Sequence, residues 1–128
     1  MPVDMSTATA EEVVRGFLEA MEARDITRAE SFLDERFVME FPGSGEMSRL
    51  AELVAWAAGR YRFVRKRIAA FDICGMGERV TVVCHGELDG EWPDGVAFNG
   101  VRFIDRFTLL HGRIVRQQVW NDLALVRN

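Results

Sequence analysis

The chain has 128 residues, enough for one domain over 1–128 with a core that needs no staple, and 48% of them are apolar. A net charge of −4, from 20 acidic and 16 basic residues, gives no electrostatic footprint for nucleic acid. No apolar run reaches membrane-spanning length, and the first eight residues, MPVDMSTA, lack the charged and apolar regions of a secretory signal, so a cytoplasmic protein with no membrane partner is expected.

In chain order, residues 1–8 are expected to be flexible, and Thr9-Ala10-Glu11-Glu12 reads as a capping box. Behind it Val13, Val14, Phe17, Leu18 and Met21 recur at helical spacing to about residue 23. A short second helix is expected over 26–33, burying Ile26, Ala29, Phe32 and Leu33, and then a strand over 36–41 that stops at Pro42-Gly43. The stretch 42–47 reads as a loop. Ser48 is a good N-cap for a third helix with the stripe Leu50, Leu53, Val54, Ala57 and Tyr61, widened by Trp56 and Phe63. Arg60, Arg62, Arg65, Lys66 and Arg67 crowd its last turns, where the macrodipole favours cations, and read as a solvated cluster.

From Ile68 the hydrophobic period becomes two, and four strands are predicted over 68–74, 79–88, 97–110 and 113–123. The turns at 75–78 and His111-Gly112 and the loop 89–95 all suit antiparallel neighbours. The order makes an α+β layout with helices on one face of the sheet. Closing the 75–78 turn puts Cys84 opposite residues near 70, well away from Cys74, so both read as free thiols.

Alternation along 97–110 sets Val101, Phe103, Asp105, Phe107 and Leu109 on one face, a lone aspartate in an apolar row. Such a carboxylate must be hydrogen-bonded, held neutral, or open to a cavity, because an unpaired buried charge is costly. His85 shares a face with Thr81, Val83 and Glu87, opposite Val80, Val82, Cys84 and Leu88; that mixed face fits either a pocket lining or the outside of the sheet. Arg116, Gln118, Trp120 and Asp122 form a face too polar for a core, which fits a lined cavity or a dimer interface. No metal-ligand spacing, Gly-rich phosphate loop, nucleophile elbow or redox Cys pair is present, so any chemistry is expected to be acid and base work without cofactor or metal.

The strings 23–26 (ARDI), 37–42 (FVMEFP), 85–90 (HGELDG), 93–95 (PDG), 103–107 (FIDRF), 112–114 (GRI) and 120–122 (WND) together resemble the nuclear transport factor 2-like superfamily, and within it the SnoaL-like proteins. The resemblance implies a cone in which three N-terminal helices and a strongly bent antiparallel sheet enclose an apolar pocket. It also implies a homodimer formed through the open sheet face, which carries Ile104. The superfamily hosts isomerases, cyclases, epoxide hydrolases and binding-only modules.

Ketosteroid isomerase, in this superfamily, uses a tyrosine and a neutral aspartic acid at an oxyanion and a second aspartate as base. The matching positions here are Phe17, Asp105 and Phe41, so only the oxyanion aspartate is kept and that mechanism is disfavoured. Trp120-Asn121-Asp122 resembles the Trp-x-Asp end of limonene epoxide hydrolase, and His85-Gly86-Glu87 falls where that enzyme has Arg-x-Asp. His85 and Asp122 resemble the histidine and acid of the SnoaL-like cyclases. The expectation is a pocket for a small oxygenated hydrophobic molecule, lined by Phe17, Phe41, Trp56, Phe103, Phe107, Gln118, Trp120 and Glu87. Asp105 or Asp122 would be the acid and His85 the base. The alternative is a non-catalytic ligand-binding or assembly module. Convergence of His85, Asp105 and Asp122 on one cavity favours the enzyme, and a solvent-facing His85 favours the module.

Overall fold

A computed structural model describes residues 7–75 and 77–126 of the chain. Three helices, α1 (Thr7–Glu22), α2 (Ile26–Glu30) and α3 (Leu50–Ala58), accompany six strands, β1 (Leu33–Phe41), β2 (Gly45–Met47), β3 (Phe63–Cys74), β4 (Arg79–Glu91), β5 (Ala97–Leu110) and β6 (Arg113–Asn121). A single turn, α4 (Leu123–Val126), closes the described chain. The strands form one sheet in the order β2-β1-β6-β5-β4-β3.

Several boundaries differ from the sequence reading. α1 starts at Thr7, so Thr9 lies inside its first turn rather than at its cap. The flexible segment expected over 1–8 lies outside the described residues as far as residue 6. α2 is shorter than expected: Asp25 caps it by accepting the Arg28 N–H at 3.2 Å, and the chain is already extended by Leu33. The expected loop 42–47 is a hairpin in which β2 pairs with β1, Phe41 facing Gly45 in register. The residue before α3 is Arg49 rather than Ser48, and the Ser48 N–H and hydroxyl reach back to the Glu52 carboxylate at 3.3 and 3.4 Å.

The sheet is mixed rather than wholly antiparallel. β3 to β6 form the expected antiparallel set, but β1 runs parallel to β6, Met39 facing Gln117. β1 is linked to β6 by most of the chain, so no tight turn dictates its direction. β5 and β6 join through His111 (φ 49) and Gly112 (φ 81), both left-handed as a two-residue hairpin turn with the right twist requires. The last strand ends at Asn121, whose side-chain oxygen accepts the Leu123 N–H at 3.1 Å and starts α4.

Two glycines let the sheet bend. A Cβ on Gly86 would stand 1.9 Å from the Arg67 carbonyl oxygen, and one on Gly90 would stand 2.2 Å from that of Phe63. The register shifts beside both glycines, between Ile68 and Ala70 where β3 pairs with β4 and between Leu88 and Gly90 where β4 pairs with β5. The concave face then receives α1: Phe17 is buried between Phe37 and Phe107, at centroid distances of 6.1 and 6.0 Å, both edge to face. Cys84 stands opposite Phe71 and Cys74 opposite Thr81, and both thiols are free.

Candidate functional site

The concave face is not filled to its edge. A cavity of about 350 Å³ lies between α1, α3 and the sheet, with Phe17, Met21, Phe41, Leu53 and Ile68 in its wall together with Arg15, Glu19, Glu22 and Arg24. A second chamber of about 460 Å³ is walled by Trp56, Arg60, Leu88, Trp92, Phe103, Val119 and Leu123. Phe41, Tyr61, Val64 and Lys66 belong to both walls, so the two chambers meet there. The Phe41 and Trp56 rings meet at a tilt of 50° with centroids 5.6 Å apart, and the Arg60 guanidinium lies 4.1 Å from the Trp56 ring centroid.

Asp105 is fully buried on β5, with Cys84 and Val119 beside it in register. Its Oδ2 accepts a hydrogen bond from Lys66 Nζ. Lys66 comes from the concave face of β3, opposite Leu88, and its ammonium lies 5.2 Å from the Phe103 ring centroid. The Lys66 side chain keeps 21% of its exposure while Asp105 keeps none, so the cation is the half of the pair that meets the cavity. Asp105 Oδ1 and Gln117 Oε1 are buried without a hydrogen-bond partner among the described residues.

Burial dominates the titration of this group. It pushes the Asp105 carboxyl above the ordinary carboxylate range, with Lys66 and the Gln117 amide pulling the other way. Burial works against the Lys66 charge, but Asp105 outweighs it and holds the ammonium above its ordinary value. Burial also raises the Tyr61 hydroxyl. The Cys84 thiol is pushed up to about 12 by burial and then by the Asp105 charge, so it is no nucleophile at neutral pH.

The other expected acid and base lie elsewhere. His85 is exposed on the opposite, convex face, across from Ile104. Asp122 is beyond the end of β6, where its carboxylate accepts from Arg102 Nε at 2.8 Å and its N–H donates to the Arg102 carbonyl at 3.0 Å. Both border a convex-side groove of about 720 Å³ with Arg102, Ile104, Gln118 and Trp120. His85, Asp105 and Asp122 therefore do not converge on one cavity. Of the expected lining, Phe17, Phe41, Trp56 and Phe103 face the two chambers. Phe107 is buried core, Trp120 is 52% exposed on the convex face, Gln118 takes an Arg106 N–H at 3.2 Å there, and Glu87 pairs with Arg67 at 3.0 Å.

The residue that inverts the last strand is the extra one at its start. Thr108 faces Arg116 but Leu109 faces Ile114, so Ile114 and Gln117 both point inward and the polar even-numbered set points out. Gln117, not Gln118, is the amide in the cavity. Lys66 was hidden inside a basic run assigned to a helix end. Gly59 stops α3 early, and Val64-x-Lys66-x-Ile68 was the period-two signal that could have placed it.

A SnoaL-like domain profile matches residues 14–117. The chain belongs to the SnoaL-like family. No curated protein sequence matches this SnoaL-like chain. Among solved structures it is similar to an NTF2-like protein of unknown function from Burkholderia pseudomallei, at 20% identity over 95% of each chain with a TM-score of 0.77. It is similar to TerC co-crystallised with polyporic acid, at 16% identity over 92% of this chain and 95% of that one, TM-score 0.78. A third, described as a candidate SnoaL-like polyketide cyclase from a Jannaschia species, is 20% identical over 97% and 94%, TM-score 0.70. These likenesses carry the SnoaL-like fold. No helix among the described residues is long and apolar enough to cross a membrane.

Proposed function

We propose that this SnoaL-like protein binds a small oxygenated hydrophobic molecule in the concave cavity, with its polar oxygen at Lys66. The observation that carries the reading is the buried Lys66–Asp105 pair, whose cation opens into a first chamber of mixed lining and a second, largely apolar one. The complex of TerC, a protein of the same fold, with polyporic acid supports a small-molecule ligand. A binding role is favoured over the three-residue acid and base site because His85 and Asp122 stand across the sheet from Asp105. If the ligand is transformed, Asp105 is the acid and Lys66 its partner in a proton transfer that needs no cofactor. The convex face is proposed to pair two copies as a homodimer.

Trp56 and Trp92 line the second chamber, so a bound aromatic ligand should change intrinsic fluorescence. Titration with neutral and acidic polycyclic aromatics is expected to give a saturable response that Trp56→Phe reduces. A flat response to every compound would end the reading. Deuterium exchange into the ligand's acidic C–H positions in heavy water, lost in Asp105→Asn, separates proton transfer from binding alone.

A further inference from the structure

We propose that the ligand is an anion with apolar groups on two sides, seated with its charge on Lys66 and one arm in each chamber, and that it enters with one proton, which Asp105 takes up. This rests on the small-molecule reading above. An ammonium has three donors, and Asp105 is the one acceptor that Lys66 meets among the described residues. The remaining N–H groups belong to a side chain that still touches the cavity, at the junction of the chambers. The charged side chains of the second chamber are Arg60 and Lys66, with no carboxylate, whereas the first sets Arg15 and Arg24 against Glu19 and Glu22.

The proton follows from charge balance. Lys66 and Asp105 are neutral as a pair, so an anion added at Lys66 would leave two negative groups around one cation in a poorly solvated place. Asp105 is met by Lys66 from β3, Cys84 on β4 and the Gln117 amide on β6, with Arg15 of α1 acting on Cys84 and Tyr61 on Lys66. Cys84 and Tyr61 are held protonated there, and the chamber carboxylates Glu19 and Glu22 are exposed on α1, which leaves Asp105 as the buried acceptor in contact with Lys66. A proton from solvent bonds to its unpartnered Oδ1, no ligand bond breaks, and Lys66 is freed to serve the incoming anion.

The test uses 8-anilinonaphthalene-1-sulfonate, whose sulfonate stays ionised and is flanked by two aromatic groups, beside N-phenyl-1-naphthylamine, the same molecule without the charge. The sulfonate is expected to bind more tightly, and its Kd should rise about tenfold per pH unit on the alkaline side of the Asp105 titration. The neutral dye should be indifferent to pH. Asp105→Asn should bind the sulfonate without that slope, and Lys66→Met should lose it about tenfold or more while keeping the neutral dye. Equal affinities of wild type for the two dyes, or a slope that survives Asp105→Asn, would overturn the inference and leave the cavity reading standing. If neither dye binds, both fall. If Asp105→Asn does not fold, calorimetry of wild type in two buffers of different ionisation heat counts the proton directly, and a count near zero overturns the proposal. Ile104→Ser on the convex face should change neither affinity; loss of the sulfonate there would place it in the wrong groove and also refute the inference.

Discussion

Lys66 and Asp105 hold one another in charged form where neither would be comfortable alone. Lys66→Met strands the carboxylate and is expected to lower stability by about 3–5 kcal/mol, toward the lower end because Asp105 can protonate. The urea midpoint measures it. Lys66→Met with Asp105→Leu should recover most of the loss, since an apolar pair of similar volume needs no charge compensation. Asp105 also has a pH signature. Its folded value lies above the ordinary one, so its contribution is full at acid pH below the unfolded value and fades as pH rises through the folded value. Asp89 has the opposite sign: the Arg67 hydrogen bond lowers it, so its contribution is present above the ordinary carboxylate range and fades as pH falls. Stability profiles of Asp105→Asn and Asp89→Asn should therefore depart from wild type with opposite slopes. At this scale Asp105 was legible, because a charge in the row Phe103, Asp105, Phe107 breaks a strict alternation. Lys66 was not, because five cations in eight residues look the same at a helix end as on a strand until the boundary is known.

β3 is the element that makes the site, and its start was the least legible boundary in the chain. Tyr61, Val64 and Lys66 reach the junction of the chambers because α3 stops at Ala58 and the strand begins at Phe63. Helical and strand periods overlap through this stretch, and the glycine that decides between them is a single residue. The long strands β4 and β5 were plain from their alternation. β6 was plain as a strand but not in its facing, since one extra residue near Val115 reverses the inward set and no local pattern announces it. The bend depends on Gly86: Gly86→Ala puts a methyl into the Arg67 carbonyl and is expected to cost about 1–3 kcal/mol. Chemical denaturation gives the loss, and a weakened dye titration with intact circular dichroism would show that the bend also shapes the cavity.

For the whole molecule, the convex face poses the question that the concave one does not. Ile104 and Trp120, cross-strand partners at 47% and 52% exposure, put adjacent apolar surface in the middle of an open sheet. A homodimer through this face is expected, seen as twice the chain mass by light scattering, and Trp120→Asp should return it to a monomer with the dye site intact. A single mass for wild type over a wide concentration range would refute it. The family resemblance made the fold legible in the sequence, because helix, strand and turn strings follow nearly the whole length of the chain. It did not make the site legible: the motif residues His85 and Asp122 are conspicuous in the sequence, yet which side of a sheet they occupy is decided by bulges and register, not by identity.

The two thiols divide the molecule in a useful way. Cys74 is exposed at the end of β3, while Cys84 has no exposure and lies against the Asp105 charge. A water-soluble maleimide should thus modify one site at once and the other only when the strands around it part. The lag between first and second mass additions becomes a clock for opening of the sheet's centre, readable by mass spectrometry with no label designed in. An occupied cavity should slow that clock, and an empty one should not.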